Sequence, residues 1–116
     1  MIFRNLTPHA VSLLGLSGAR ILDRPEKACR ILTASGELLE EYDGIGIYSP
    51  AQFERIVNLP EPREGVTFIV SQLSALAVAA LHGSRADIVY PATRAMDGAV
   101  RDGNGVISVR KLIRAT

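Results

Sequence analysis

The strongest pattern in the chain is a continuous apolar run followed by a helical one and then by a second apolar run. Residues 66–70 are rich in β-branched side chains and show no polar alternation, which predicts a strand buried on both faces. Residues 71–81 are small and apolar, with Ser71 placed to cap a helix and Gly83 placed to end it. Residues 87–90 form the next strand. The pattern therefore predicts a strand–helix–strand unit over residues 67–91, with a link long enough for parallel pairing.

Shorter apolar runs bounded by Gly, Pro or Asp predict further strands. They lie at residues 2–6, 10–14, 19–22, 30–33 and 45–48, whereas residues 37–42 fit a strand and a helix equally. Near the end of the chain, residues 99–101 and 106–113 flank the sequence Asp102-Gly103-Asn104-Gly105. Asp-Gly and Asn-Gly steps supply the positive φ angles of tight turns, so this region predicts a C-terminal β-hairpin.

A second helix is predicted after Ser49. Pro50 suits the first helical position, Gln52 stands where a capping partner belongs, and apolar residues at 53, 56 and 57 share one helical face. Residues 59–62, Leu-Pro-Glu-Pro, then form an extended connector. Together these elements predict one α/β or α+β domain over residues 1–116. It would hold a small mixed β-sheet with the strand–helix–strand unit, one further short helix and the C-terminal β-hairpin.

Composition narrows the classes of partner. The chain has 116 residues, 47% hydrophobic and 22% charged, with a net charge of +1 and no Trp. This composition is typical of a globular domain and argues against nucleic acid as a partner. The apolar runs are too short to span a bilayer, so we expect no membrane partner. The single cysteine, Cys29, predicts a reduced, half-buried thiol in a cytoplasmic protein. Nothing in the sequence predicts a cofactor or a metal.

The candidate site lies where the two strands of the central unit would end. If those strands are parallel, Ser71 and Gln72 meet Thr93 and Arg94 at one edge of the sheet. Free amides at the helix start and the fork of Arg94 suit a phosphate or a carboxylate. The alternative is that Ser71 only caps the helix and Arg94 is a solvated loop charge.

The segment Asn5-Leu6-Thr7-Pro8-His9 places further hydrogen-bonding groups around one turn. Thr7 and His9 could complete the pocket, and His9 could act as an acid or a base. The alternative is that these side chains only fix the turn. An acidic group follows later in the chain, and its spacing favours a solvated face over a divalent metal site. Its members are Glu37, Glu40, Glu41 and Asp43.

Several stretches resemble a family of small uncharacterised proteins of bacteria and their phages. The resemblance rests on the opening Asn-Leu-Thr-Pro-His and on four later segments, and residues 15–41 take no part in it. The later segments are Leu59-Pro60-Glu61-Pro62 with Gly65, Phe68-Ile69-Val70-Ser71, Asp87-Ile88-Val89-Tyr90-Pro91 and Val100-Arg101-Asp102. The resemblance implies a phage or prophage setting and carries over no established activity.

Three functional hypotheses follow. The first is a non-catalytic protein that binds a small anionic ligand, such as a nucleotide or a cyclic-nucleotide immune signal that a phage protein would sequester. It is favoured because the sequence has no nucleophile elbow, no paired Cys/His spacing and no P-loop. The second is a small enzyme acting on a nucleotide or sugar phosphate through His9. The third is a protein-interaction inhibitor of a host protein. The small apolar helix and the short strands also predict a homo-oligomer.

Overall fold

The computed structural model describes residues 1–101, 103 and 106–115. Strands account for 45% of the structure and helices for 12%. The helical elements are α1, Gln72–His82, and one turn of 3-10 helix, Ala95–Asp97. The strands found in the described residues are β1 Ile2–Asn5, β2 Val11–Gly15, β3 Gly18–Leu22, β4 Arg30–Ala34, β5 Leu38–Tyr42, β6 Ile45–Tyr48, β7 Gln52–Val57, β8 Val66–Ile69, β9 Ile88–Pro91, β10 Val100–Arg101, β11 Ile107–Val109 and β12 Leu112–Arg114.

The strands form two four-stranded sheets and two two-stranded ones. The first sheet has the order β1-β8-β9-β12, with β1, β8 and β9 parallel and β12 antiparallel to β9. The second has the order β10-β11-β2-β3, with β11 parallel to β2. The pairs β4–β7 and β5–β6 are antiparallel and form the remaining two sheets.

The predicted α/β or α+β class is wrong, because the structure is mainly β with one α-helix in the described residues. The strand–helix–strand unit itself is present, and its strands β8 and β9 pair in parallel. It contributes two strands out of many, so it does not set the class. Most of the remaining strands pair in antiparallel ribbons. The short apolar runs predicted several of these strands but not how they pair.

The second predicted helix is also wrong. Residues 52–57 form β7 and pair with β4, which makes this segment part of a long ribbon. Ser49 does not cap a helix: its hydroxyl accepts a hydrogen bond from the Glu37 amide at 2.8 Å, and its own amide donates to the Glu37 carbonyl. The capping pattern is local, whereas pairing with β4 along the length of the segment joins it to a distant strand, and this tertiary contact overrides the local propensity.

The C-terminal hairpin is present in part. Strands β10 and β11 pair antiparallel, and the predicted turn at 102–105 has residues 102, 104 and 105 outside the described residues. The returning segment was expected to run on through residue 113. It breaks at residues 110–111 instead, and β12 crosses to the first sheet, where it pairs with β9.

The hydrophobic core lies between α1 and the first sheet. Phe68 and Val70 of the β8 region, Val78 of α1 and Ile88 of β9 are at most 2% exposed. Leu6, Cys29 and Ala75 complete the buried cluster, as the sequence expected for the thiol of Cys29. Burial raises the pKa of this thiol, so it stays protonated at neutral pH. Among the described residues, no helix has the length and apolar character needed to cross a membrane.

Candidate functional site

Three chain segments leave the first sheet at the same edge. Because β1, β8 and β9 are parallel, the residues that follow Asn5, Ile69 and Pro91 all lie at their carboxyl ends. Backbone bonds hold these exits together, with the Leu6 amide donating to Ile69 at 2.8 Å and the Val70 amide donating to Val89 at 2.9 Å. Ligands of parallel sheets commonly bind at such an edge, which makes it the first place to look for a site.

A pocket of about 270 Å³ opens at this edge. Five of its lining residues are the predicted ligand-binding residues Thr7, His9, Ser71, Gln72 and Thr93. The other lining residues are apolar and come from four different segments: Pro8, Val11, Pro91 and Ile107. The pocket therefore combines apolar walls with a few polar groups, the composition usual for a small-molecule site.

The sixth predicted residue, Arg94, lines an adjoining pocket of similar volume, about 270 Å³. The two pockets share Gln72, Pro91 and Thr93, so they form neighbouring halves of one depression. The second half has a more polar wall because it contains Arg94 and Asp97. All six predicted residues thus line one depression.

The turn that carries Thr7 and His9 is built by Asn5. The Asn5 Oδ1 atom accepts from the Thr7 amide at 3.0 Å and from the Thr7 hydroxyl at 2.6 Å. The Asn5 Nδ2 atom donates to the His9 carbonyl at 2.7 Å and reaches the carbonyls of Leu22 and Asp23 at 3.3 and 3.2 Å. Asn5 and Thr7 are both buried, so this network fixes the turn without the imidazole of His9.

His9 is exposed at the mouth of the pocket. Its backbone carbonyl is held by Asn5 and lies 2.9 Å from the Thr7 hydroxyl. Within the described residues, its imidazole has no hydrogen bond to a carboxylate that would orient it for proton transfer. The backbone position of His9 is therefore fixed, while its ring is available to a ligand.

Ser71 caps α1, as the alternative interpretation proposed. Its hydroxyl accepts from the Ser74 amide at 3.2 Å and donates to the Ser74 hydroxyl at 2.9 Å. Capping satisfies the Ser74 amide, so the amides of Gln72 and Leu73 remain without a partner inside the helix at the end that borders the pocket. The positive end of the helix dipole thus lies beside Gln72 and Thr93.

Arg94 is paired with Asp97. The guanidinium Nε atom donates to the Asp97 carboxylate at 2.8 Å, and the Lys111 ammonium lies 3.6 Å from the same group. The hydrogen bond from Arg94 lowers the pKa of Asp97, which keeps this carboxylate ionised at neutral pH. Two cations around one carboxylate leave a net charge of +1, and the Arg94 side chain is 69% exposed. The cluster can therefore still accept an anion.

The sequence did not point to Asp97 or Ile107. It marked Lys111, with Arg110 and Arg114, as part of an amphipathic last strand or a nucleic-acid patch, and not as a neighbour of this site. The spacing of Arg94 and Asp97, three residues apart, could have suggested their pairing, because such neighbours meet on one helical turn. Ile107 and Lys111 arrive from the C-terminal strands, and no local pattern indicates that contact. The acidic residues at 37, 40, 41 and 43 are exposed on β5 or next to it, and the described residues contain no group of three or more side chains placed to hold a metal ion.

Comparisons with protein-family models, with curated proteins and with solved structures found no match to this chain.

Proposed function

We propose that this protein binds a small anionic ligand of nucleotide-like size in the depression at the carboxyl ends of β1, β8 and β9. The observation that carries the proposal is the convergence of three parallel strand ends and the start of α1 on one pocket. Each of these features favours ligand binding for a physical reason that does not depend on the others.

The two halves of the depression suit the two ends of a nucleotide. The half lined by Val11, Pro91 and Ile107 has apolar walls on which a base can pack. The half that contains Arg94 lies at the cluster of Arg94, Asp97 and Lys111, whose net charge of +1 suits a phosphate. Gln72 and Thr93 line both halves and could bond to the sugar between them.

The finer proposal is that the ligand is a nucleotide signal and that the protein sequesters it unchanged. The resemblance of the chain to a bacterial and phage family supplies the setting, since small non-catalytic phage proteins as a class remove the signals of bacterial immunity. A cytoplasmic location belongs to the same proposal. The absence of an orienting partner for His9 in the described residues favours binding over catalysis.

Thermal unfolding in the presence of nucleotides and cyclic nucleotides tests binding. A ligand present at 100 times its Kd stabilises the folded state by about 2.7 kcal/mol. For a domain of this size that is a rise in Tm of roughly 10 °C. The absence of a shift with every member of the set, alongside a control protein that does respond, would refute the proposal.

Two substitutions sharpen the test. Arg94→Ala should weaken binding about tenfold or more, because it removes a charge-assisted contact to the anion. Asp97→Asn should strengthen binding, because it removes the carboxylate that competes for Arg94. The matched control is Arg63→Ala, an exposed arginine that precedes β8 at the opposite edge of the sheet. Equal affinity in all three variants would place the ligand elsewhere.

A small enzyme is the second candidate, because His9 lies exposed in the same pocket. Mass spectrometry of the ligand after incubation distinguishes the two. Recovery of an unchanged ligand supports sequestration, whereas a product that disappears with His9→Gln supports catalysis.

A further inference from the structure

The most unusual feature of the molecule is a long β-ribbon formed by residues 30–57. Strands β4 and β7 form its base and β5 and β6 its tip, and the bonds between Glu37 and Ser49 connect the two halves. Asp43 and Gly44 close the tip with φ angles of 53° and 76°, as a two-residue turn requires. The longest dimension of the molecule is 58 Å, and its radius of gyration is 16.9 Å. A compact domain of this length would have a radius near 13 Å.

The tip of the ribbon exposes large apolar side chains on both faces. Tyr42, Ile45 and Ile47 share one face, with exposures of 79, 66 and 45%. Leu38 and Tyr48 lie on the other face, where the Tyr48 ring packs over the backbone of residue 46. Five large apolar side chains are thus exposed within a few residues of one another, and exposed apolar surface that is clustered in this way marks interaction sites.

A two-stranded ribbon of this kind is marginally stable when it stands alone in water. The base does not stand alone, because Ile56 packs against the core and the Cys29 amide bonds to the Leu6 carbonyl at 2.9 Å. The tip strands β5 and β6 pack chiefly on each other. The apolar side chains of the tip therefore lie on a surface that would be stabilised by contact with a binding partner.

The distribution of charged residues indicates which partner can bind the tip. The tip, residues 35–49, carries four acidic residues and no basic one. The chain has twelve acidic and thirteen basic residues, so the remainder has eight acidic against thirteen basic. A tip with a charge of −4 therefore projects from a body with a charge of +5. Opposite charges steer association, and the complementary surface that this chain itself provides is the body of a second copy.

The body offers a matching groove of about 240 Å³ between β1, β2 and β12. Its walls are apolar and its rim is basic, with Arg110 and Lys111 both exposed. The apolar lining consists of Phe3, Leu13, Leu14, Val109 and Leu112. An acidic ribbon with apolar side chains has the inverse chemistry of this groove.

We propose that the tip of one copy, residues 35–49, docks in the groove beside Arg110 and Lys111 of a second copy. The contact is reciprocal around a two-fold axis, so that both tips are covered. A standard stable interface buries about 1,600 Å² in total, and a reciprocal contact contributes two tips and two grooves to that area. This inference does not depend on ligand binding, although Lys111 at the rim of the groove also belongs to the cation cluster around Asp97.

Sedimentation equilibrium over a range of protein concentrations tests the proposal. The wild type should be a dimer whose Kd rises with salt. Tyr42→Ser with Ile45→Ser should raise that Kd about 100-fold or more, since two anchoring side chains are lost. The matched pair Ile47→Ser and Leu76→Ser gives the control, because both side chains are 45% exposed and Leu76 lies on α1. Only Ile47→Ser should weaken the dimer.

Charge reversal identifies the docking partner. Glu40→Lys with Glu41→Lys, and separately Arg110→Glu with Lys111→Gln, should each give a monomer. Lys111 takes the neutral residue because Asp97 lies 3.6 Å away. Mixing the two variants should restore the dimer, since the reversed tip then meets a reversed groove and the native tip meets a native groove. Circular dichroism checks that each variant is folded.

Three results would overturn the proposal. They are a wild type that stays monomeric at every concentration, a dimer that survives the tip substitutions, and variants that fail to associate on mixing although each is folded.

Discussion

Asn5 connects the end of β1 to the turn that carries Thr7 and His9, and its removal should cost more stability than its size suggests. It is 8% exposed and makes two contacts to Thr7 and three to the carbonyls of His9, Leu22 and Asp23. In Asn5→Ala the buried amide of Thr7 loses its acceptor, and the carbonyls of His9, Leu22 and Asp23 lose the donor that links them. A buried polar group left without a partner costs about 1–3 kcal/mol.

The five contacts do not contribute equally, because their geometry and burial differ. Those to Thr7 are fully buried, and the one to the His9 carbonyl is 2.7 Å long. The longer contacts to Leu22 and Asp23 share a single proton of the amide. Counting the three strong contacts near 1 kcal/mol each, with a small remainder, gives about 3–4 kcal/mol for Asn5→Ala. Thr7→Val removes one hydroxyl and should cost about 1–2 kcal/mol.

Urea unfolding followed by circular dichroism measures these losses. Thr7→Ser is the matched control, because it keeps the hydroxyl and loses only a buried methyl group, which should cost about 0.8 kcal/mol. Asn5→Asp gives a second readout. It turns an oxygen toward three carbonyls, so its deficit should be larger at pH 7 than at pH 4, where protonation restores a donor. A loss below about 1 kcal/mol in Asn5→Ala would refute the assignment of this network as the support of the turn.

Three further predictions test other parts of the fold. Gly36→Ala should destabilise the ribbon by at least about 1 kcal/mol, because its Cβ would collide with the Ser49 carbonyl; urea midpoints measure the loss. Asp87→Asn should cost about 1 kcal/mol at neutral pH. The hydrogen bond from Arg85 lowers the pKa of Asp87, so the pair stabilises the fold above the usual carboxyl range. The difference in the free energy of unfolding between the wild type and Asp87→Asn should vanish as acid protonates Asp87. A variant whose stability falls with acid as steeply as that of the wild type would contradict this prediction. Cys29 should react with Ellman's reagent only on unfolding, since it is 6% exposed and burial raises its pKa; rapid labelling of the native protein would refute this.

The central unit could be predicted from the sequence because its determinants are local. A β-branched run, the cap at Ser71 and the stop at Gly83 lie next to one another in the chain, and each favours one backbone conformation. The length of the crossover permitted parallel pairing without requiring it, and the structure has the strands parallel. The meeting of Ser71 and Thr93 at one edge was predicted on that condition, and Thr7 lies at the same pocket.

The ribbon could not be predicted in the same way. Ser49 and Pro50 carry the pattern of a helix start, and nothing near them indicates that residues 52–57 pair with residues 30–34. That pairing joins segments about twenty residues apart, and a backbone whose hydrogen bonds are satisfied by a partner strand no longer follows its local preference. Ile107 and Lys111 are likewise far along the chain from the residues they approach, so no local pattern predicted that they lie beside the site.

The sequence by itself determined the strand–helix–strand unit, the buried thiol of Cys29 and the polar groups that could meet at a sheet edge. These depend on neighbouring residues, whose conformational preferences and polarity are legible along the chain. Only the tertiary structure decided that the protein is mainly β. It also decided that Asp97 forms an ion pair with Arg94, and that the acidic tip with its apolar side chains projects from the body. Those features depend on contacts between distant segments, and the free energy of such contacts exists only once the chain has folded.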